Sequence, residues 1–274
     1  MNHDNDAELE DHDRGLSFDM PRLISRRRAL GVLTGSVTMA ALAACGSSSK
    51  DTTNTTADGS GSNGSGTTGE IPDETAGPYP GDGFNGPNVL TESGIVRSDI
   101  TESFGEASGV AEGVPTAVEM TLLDVAAGGT PLAAAAVYLW HCNVDGQYSM
   151  YDQGIAAQNY LRGVQESDDD GKVSFKSVFP GAYAGRWPHI HFEVYRSLEA
   201  ATSAGSKLKT SQIALPKDAC DLVYATERYE QSVQNLAQTS LDTDNVFSDG
   251  YASQLATTSG SVGNRITIKL NVGV

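Results

Sequence analysis

The chain has 274 residues and a formal charge of −17 at pH 7, from 18 basic and 35 acidic side chains. Such an excess of negative charge excludes a protein that binds nucleic acid or anionic lipid through a basic surface. Only five histidines and three cysteines occur, so their positions carry much of the information about chemistry.

Residues 1–45 are typical of an export signal. Arg26–Arg28 precede an apolar run over residues 29–44 that is short and rich in small side chains, which disfavours a membrane-spanning helix. The arginines match the twin-arginine export pattern, and Leu42–Cys45 matches a bacterial lipobox, which predicts Cys45 as a lipidated first residue. An ordinary cleaved signal with an incidental cysteine is the alternative. We expect an exported protein, lipid-anchored on the outer face of the bacterial cytoplasmic membrane or secreted, that meets the membrane only through this anchor.

Residues 46–70 are rich in Ser, Thr and Gly and contain almost no apolar side chain. Such a segment cannot bury enough surface to fold, so it is predicted to be a flexible tether. Residues 71–274 remain for one folded domain of about 200 residues, which is enough for a buried core.

Many short strands are predicted in this domain, because apolar segments alternate with turn residues. The predicted strands are Ala117–Val125, Ala135–Cys142, Lys172–Phe179, His189–Tyr195, Lys207–Leu215 and Arg265–Val272. Apolar residues recur at helical spacing only after Pro216. This pattern predicts an all-β fold, a β-sandwich with one short helical excursion.

Two histidines lie one residue apart in a predicted strand. Because successive strand residues point to opposite faces, His189 and His191 share one face while Ile190 faces the other way. Neutral imidazoles held on a strand are natural metal ligands. The phenols of Tyr148 and Tyr183 are near in sequence, and Fe(III) prefers anionic oxygen while accepting imidazole. We predict a non-haem Fe(III) site; a zinc or copper site on the same histidines is the alternative.

Five segments, taken in order, resemble the intradiol ring-cleaving dioxygenases, and most closely the short secreted members of that family, which are similar to protocatechuate 3,4-dioxygenase. The segments are Glu74–Pro80, Val137–Ser149, Asn159–Phe175, Phe179–Phe192 and Thr210–Pro216. The resemblance covers the last 200 residues or so. It implies a β-sandwich enzyme that uses Fe(III) and O₂ to cleave a catechol-type aromatic diol to a cis,cis-muconate-type diacid.

The resemblance also implies a role for each ligand residue. Tyr148 and His189 would be equatorial ligands of the iron, whereas Tyr183 and His191 would be axial. Tyr183 would be the ligand that leaves when the diol binds. Tyr151 and Tyr160 compete with Tyr148 for its role, and spacing from the preceding strand favours Tyr148.

Two further residues match catalytic positions of the family. Arg186 would stabilise negative charge that builds on the ring, and Gln212 would lie beside that arginine and the substrate. A structural salt bridge is the alternative for Arg186, and pairing with loop carbonyls is the alternative for Gln212. Tyr79 and Trp187 are predicted to line the substrate pocket, although Trp187 could instead pack in the core.

Two cysteines remain after Cys45, and in an oxidising compartment they are expected to pair. We therefore predict a disulfide between Cys142 and Cys220, with two separate buried thiols as the alternative. The function also has an alternative, a non-catalytic, lipid-tethered surface binding module that retains the dioxygenase fold. Whether the protein is a monomer or a homodimer stays open.

Overall fold

The computed structural model describes residues 69–203 and 205–274. In this part of the chain the strands are β1 (Pro115–Asp124), β2 (Thr130–Pro131), β3 (Ala136–Trp140), β4 (Arg162–Glu166), β5 (Lys172–Val178), β6 (His189–Tyr195), β7 (Lys207–Ala214), β8 (Thr257–Ser261) and β9 (Arg265–Gly273). The helices are α1 (Leu198–Thr202), α2 (Lys217–Tyr224) and α3 (Glu230–Leu236), with a 3₁₀ turn at Phe247–Asp249.

The strands form two sheets. In the five-stranded sheet β1 runs parallel to β9 and antiparallel to β2 and β5, while β8 pairs with β9. In the four-stranded sheet the order is β4-β3-β6-β7, and every neighbouring pair is antiparallel. The predicted all-β sandwich is confirmed.

The main core lies between the sheets and follows from strand alternation. Ile266, Ile268 and Leu270 of β9 are buried there, as are Ile190 and Phe192 of β6. The opposite face of the four-stranded sheet carries a second buried cluster, which includes Tyr138, Trp140 and Tyr148 and is covered by loops. The two histidines of β6 point to this second face.

The sequence did not predict β2, β4, β8 or the short helix α1. β8 reads TTSGS, so it has no apolar alternation, and its pairing with β9 defines it. The helical excursion after Pro216 is two helices, α2 and α3, rather than one. The five-residue helix α1 begins at Ser197, whose side chain accepts a hydrogen bond from the Ala200 amide; it is too short to show periodicity.

The export signal, Cys45 and all of the tether except Gly69 and Glu70 lie outside the described residues, so those assignments stay predictions. Within residues 69–203 and 205–274, no helix has the length and apolar character needed to cross a membrane. The Ile71 amide donates to the carbonyl of Gly273, so the start of the domain is joined to its last strand.

Candidate metal centre and active site

The strand β6 brings His189 and His191 together on one buried face. Their Nε2 atoms are 3.1 Å apart, and His191 stacks on Trp140 with ring centroids 4.9 Å apart. His189 Nδ1 lies 2.6 Å from the Trp187 carbonyl oxygen. A carbonyl can only accept, so the proton of His189 is on Nδ1 and its Nε2 lone pair points to the shared centre.

Two tyrosines complete this centre. Tyr183 Oη is 3.1 Å from His189 Nε2. The ring of Tyr148 lies 5.9 Å from that of Tyr183 and 6.1 Å from that of His191, edge to face in both cases. The Tyr148 hydroxyl is buried and makes no hydrogen bond of normal geometry. The structure thus brings together all four predicted ligands.

The protonation states fit a cation at this point. Burial, reinforced for His189 by Arg186 and for His191 by His189, lowers the pKa of both histidines, so both imidazoles are neutral and could act as ligands. Burial raises the pKa of Tyr183 to about 12 and that of Tyr148 well above its usual range. Both phenols therefore keep their protons unless a cation displaces them, so metal loading would release protons.

The chemistry of the donor set indicates which cation fits. In the described part of the chain, no group of three or more His, Cys, Asp or Glu side chains is placed to hold a metal. A metal held by His189 and His191 would therefore also need the phenols. Two imidazoles and two phenolates suit Fe(III) better than zinc, since phenolate charge offsets that of a hard trivalent ion. The Tyr148 hydroxyl oxygen is buried without a hydrogen bond of normal geometry, and a bond to a metal ion would satisfy it.

Arg186 is fixed at the edge of the centre. Its Nε donates to Asp244 Oδ2 at 2.9 Å within a buried ion pair, and its Nη2 donates to Gln212 Oε1 at 2.7 Å. Nη1 lies 3.5 Å from His189 Nε2. Although burial opposes the charge, Tyr183 and Asp244 raise the pKa of Arg186. The salt bridge predicted as the alternative for Arg186 is confirmed. The same side chain lies beside His189, and its catalytic role stays a prediction.

Asp244 is a site residue that the sequence analysis missed. Besides Arg186, its Oδ2 accepts from the Trp187 amide at 2.7 Å, and its Oδ1 accepts from the amides of Val246 and Phe247. It thus holds the arginine and the segment leading into β6. Asp244 lies in a loop of an acidic chain, and nothing in its spacing separates it from other aspartates.

Gln212 lies beside Arg186 and also pairs with a loop carbonyl, while its predicted contact with the substrate stays a prediction. It lies opposite His191 in the β6–β7 register, it accepts from Arg186, and its Nε2 donates to the Thr75 carbonyl at 2.8 Å. This second bond fastens the loop over residues 74–80 to the sheet. Gly77 of this loop, with φ +72°, approaches so closely that a Cβ would lie 3.3 Å from His191 Cε1.

The two predicted pocket residues have different surroundings. Tyr79 is half-buried with its ring 5.0 Å from the Tyr148 ring, so it lies at the wall of the centre. Trp187 is buried in the core between the sheets, and its indole nitrogen donates to the Leu215 carbonyl at 2.8 Å. The pocket role predicted for Trp187 is therefore corrected to packing.

The competing tyrosines point elsewhere. Tyr151 Oη accepts from the Gly81 amide at 2.8 Å. Tyr160 belongs to a separate apolar cluster, and its hydroxyl lies 3.5 Å from Asn143 Nδ2. The geometry therefore favours Tyr148 as the second tyrosine of the centre.

The predicted disulfide between Cys142 and Cys220 is wrong, since both are free, buried thiols. Cys142 belongs to the cluster on the outer face of the four-stranded sheet, and its Sγ donates to the Gly181 carbonyl at 3.4 Å. Cys220 lies on α2 in the core between the sheets. The two thiols thus belong to different apolar clusters. Burial raises the pKa of Cys142 to about 12, which makes it unreactive.

His141, to which the sequence analysis gave no role, is a structural group that makes stability depend on pH. It is buried, its Nδ1 lies 2.8 Å from the Cys142 carbonyl oxygen, and its Nε2 lies 2.7 Å from Ser177 Oγ. Burial lowers its pKa from 6.5 to about 4. The unfolded chain thus binds this proton at a higher pH than the folded chain does. Stability from neutral His141 is complete above pH 6.5 and is lost as the pH falls toward 4.

We expect the metal-free protein to lose about 3 kcal/mol of unfolding free energy through His141 over this interval. His189 and His191 act in the same direction. In a His141→Gln variant, the denaturant midpoint should therefore depend less steeply on pH between about 6.5 and 4 than in the wild type. Urea unfolding at a series of pH values measures both slopes. Equal slopes would contradict the assignment, whatever the variant's stability at neutral pH.

Comparisons with known proteins were consistent with this site. Residues 85–243 match the sequence model of a family described as "Dioxygenase". The chain is 33% identical over 108 residues to catechol 1,2-dioxygenase 2 of Acinetobacter lwoffii, covering 33% of this chain and 36% of the relative. It is 36% identical over 55 residues to chlorocatechol 1,2-dioxygenase of Rhodococcus opacus, covering 20% of this chain and 21% of the relative. The chain thus matches 36% of the length of the first of these curated relatives and 21% of the second.

The fold is also similar to solved structures. An intradiol ring-cleavage dioxygenase from Tetranychus urticae superposes with a TM-score of 0.54 at 24% identity, covering 66% of this chain and 87% of that chain. A second structure, the dioxygenase Tetur07g02040, gives a TM-score of 0.53 at 23% identity with the same coverage. At this level of identity the match establishes the sandwich architecture.

Proposed function

The chain belongs to the intradiol ring-cleavage dioxygenase family, and on that premise we propose that it cleaves a catechol-type aromatic diol between its two hydroxyl-bearing carbons. O₂ is the co-substrate, and both of its atoms enter a cis,cis-muconate-type diacid. The observation that carries the proposal is the convergence of Tyr148, Tyr183, His189 and His191 beside the fixed guanidinium of Arg186. A binding module would need no such combination of ligands and charge.

The residues that would hold the metal are the two tyrosines and the two histidines. When bound, Fe(III) supplies Lewis-acid activation of the diol toward O₂. The protein supplies the geometry. His189 is oriented by the Trp187 carbonyl and His191 by its stacking on Trp140, so neither ring has to reorganise during the reaction.

Tyr183 is the tyrosine suited to accept a proton from the substrate. It is half-buried, whereas Tyr148 is 2% exposed, so Tyr183 is the one that a substrate can reach. Burial raises the pKa of the metal-free phenol to about 12, so a Tyr183 phenolate that is no longer bound to a cation would be a strong base. A diol hydroxyl can then give its proton to Tyr183 Oη.

Arg186 is placed to stabilise negative charge on the substrate. Asp244 and Gln212 hold two edges of its guanidinium, which leaves Nη1 directed at the centre. A donor fixed in advance in a buried site needs no reorganisation when charge develops on the ring. The loop over residues 74–80, with Tyr79 and Gly77, covers the same space and restricts the access of water.

Mass spectrometry of the product made under ¹⁸O₂ tests the reaction, and metal analysis tests the cofactor. We expect iron in the purified protein and a muconate-type diacid that carries two ¹⁸O atoms. A ring-opened aldehyde would indicate cleavage outside the diol and overturn the proposal. Zinc or copper in place of iron, with no product after iron loading, would favour the alternative site or the binding module.

The position of Tyr183 should be sensitive to Gly146. Gly146 has φ +78°, and a Cβ there would lie 2.9 Å from Tyr183 Cβ. Gly154 has φ +92° with no atom near the same position, so it is a matched control for backbone strain. Both alanine variants should lose about 1–2 kcal/mol of stability. Only Gly146→Ala should also lower kcat, by up to about 100-fold; equal kcat values in steady-state assays would contradict this.

We also propose that the enzyme works outside the cytoplasm as a lipoprotein, which the signal-like residues 1–45 and Cys45 support. Labelling of cells with a radioactive fatty acid, followed by fractionation, should find label and protein in the membrane. Cys45→Ala should remove the label and release the protein. Wild-type protein without label would contradict the lipid anchor.

A further inference from the structure

Arg162 on β4 is an unusual charge. The residue is 0% exposed, and the hydrogen bonds from its guanidinium go to uncharged oxygen atoms of Ser149, Pro80 and Tyr138. No carboxylate of the described residues forms an ion pair with it. Burial of a cation with only neutral partners costs free energy. Packing alone therefore does not explain why an arginine occupies this position.

The hydrogen bonds of Arg162 join two segments of the proposed active site. Its Nε donates to Ser149 Oγ at 3.2 Å and its Nη2 donates to the Ser149 carbonyl at 2.9 Å. Its Nη1 donates to the Pro80 carbonyl at 3.0 Å. Ser149 directly follows Tyr148, and Pro80 directly follows Tyr79. One planar guanidinium thus fixes the backbone beside a proposed metal ligand and beside the pocket wall.

The backbone on each side of this contact is strained. Met150, next to Ser149, has φ +75°, and Leu161, next to Arg162, has φ +57°. Left-handed conformations of such residues persist only where the surroundings impose them. Arg162 and the bond from Ser149 Oγ to the Tyr160 carbonyl at 2.7 Å impose the conformation here.

The side chains beyond these backbone contacts form a continuous aromatic row. The ring of Tyr79 lies 5.0 Å from that of Tyr148 and 5.2 Å from that of Tyr151. Arg162 Cζ lies 5.5 Å from the Tyr151 ring, and Tyr138 Oη also donates to the Pro80 carbonyl at 2.6 Å. A shift of the backbone at Ser149 or at Pro80 would therefore change the distance between Tyr79, in the pocket wall, and Tyr148, a proposed metal ligand.

We propose that Arg162 is a positioning residue that sets Tyr148 relative to the two histidines and, through Pro80, sets the wall formed by Tyr79. The inference rests on the proposed function and deepens it. None of the hydrogen bonds from the Arg162 guanidinium goes to a proposed metal ligand. Arg162 acts through Ser149 on the metal site and through Pro80 on the substrate site.

The test starts with Arg162→Lys, because an ammonium group cannot reach Ser149 and Pro80 with the same fork. We expect iron affinity to fall about 10- to 100-fold, as for other groups that orient metal ligands, and the tyrosinate–iron absorption band to shift. Arg97→Lys is the matched control. Arg97 donates to the Arg162 carbonyl from the other side, at 2.9 Å from Nε, so this variant should lower stability while the band and the affinity stay unchanged.

Two milder variants test the contact with Ser149 and the contact with Pro80 separately, and they keep the test valid if Arg162→Lys does not fold. Ser149→Ala removes one acceptor beside Tyr148, so it should shift the band and weaken iron binding with little change in KM. Tyr138→Phe removes a donor to Pro80 and also one acceptor of Arg162 Nη1, whose other acceptor is the Pro80 carbonyl. Both changes fall on the Pro80 side, so the variant should raise KM severalfold while the band stays unchanged. If Arg162 had only a structural role, Ser149→Ala and Tyr138→Phe would both lower thermal stability. Neither variant would then change the absorption band or iron affinity separately from KM.

The inference and the proposed function fail in different ways. If the wild type binds iron and turns over a catechol, but Ser149→Ala and Tyr138→Phe keep the wild-type band, iron affinity and KM, the role of Arg162 is refuted and the proposed function stands. If the wild type binds no iron and forms no product, the proposed function is refuted and the inference falls with it.

Discussion

His191→Asn and Tyr183→Phe are each expected to lower kcat by more than about 100-fold. Loss of a group that only orients a metal ligand lowers activity about 10- to 100-fold, and loss of the ligand itself should lower it further. The physical causes differ. His191→Asn removes a ring nitrogen that lies 3.1 Å from His189 Nε2, so iron should be lost. Tyr183→Phe removes the base that accepts the substrate proton, so some iron should remain. Steady-state kinetics measures kcat, and metal analysis measures the iron content of each variant.

Tyr160→Phe is the control for these variants. It removes a phenol oxygen of the same loop region, but one that is not directed at the histidines. Its iron content and kcat should equal those of the wild type. Wild-type turnover in both Tyr183→Phe and His191→Asn would refute the assignment of the centre.

Arg186→Met is expected to lower kcat about 10²- to 10³-fold while iron stays bound, which is the usual cost of removing a fixed donor from a developing negative charge. Arg186→Lys should recover little, because one ammonium group cannot contact Asp244, Gln212 and the centre at once. The readouts are kcat, KM and iron content.

Lys176→Met is the charge-matched control for Arg186→Met. Lys176 pairs with Asp99 at 2.6 Å on the exposed surface, so its loss changes the net charge equally but should leave kcat unaffected. An Arg186→Met enzyme with wild-type kcat would show that the arginine serves only the ion pair with Asp244.

The part of the site that lies on strands could be predicted from sequence periodicity. His189 and His191 share a face because the side chains of a strand alternate, and the structure has them so. Tyr148 and Tyr183 lie in loops, where no periodicity applies, and only the resemblance to a family identified them. Asp244 had neither signal, because its contact with Arg186 spans 58 residues and arises from the tertiary fold alone.

The errors have equally specific causes. The disulfide was inferred from the number of cysteines and the expected compartment, which say nothing about the layer in which each thiol is buried. Trp187 was assigned to the pocket because an indole can stack on an aromatic ring, but the side chain lies in the core between the sheets, as the packing alternative expected. The role proposed for Arg162 has no signal in the sequence, since it rests on hydrogen bonds to segments as distant as Pro80.

The central claim is that the two tyrosines and two histidines hold an iron that activates a catechol. Its most direct test is the visible spectrum of the purified protein, first alone, then with catechol under argon, and finally after air is admitted. We expect a red-brown tyrosinate–iron band that shifts when catechol binds and returns as a muconate-type product forms. A protein that stays colourless and unresponsive after iron loading would contradict it.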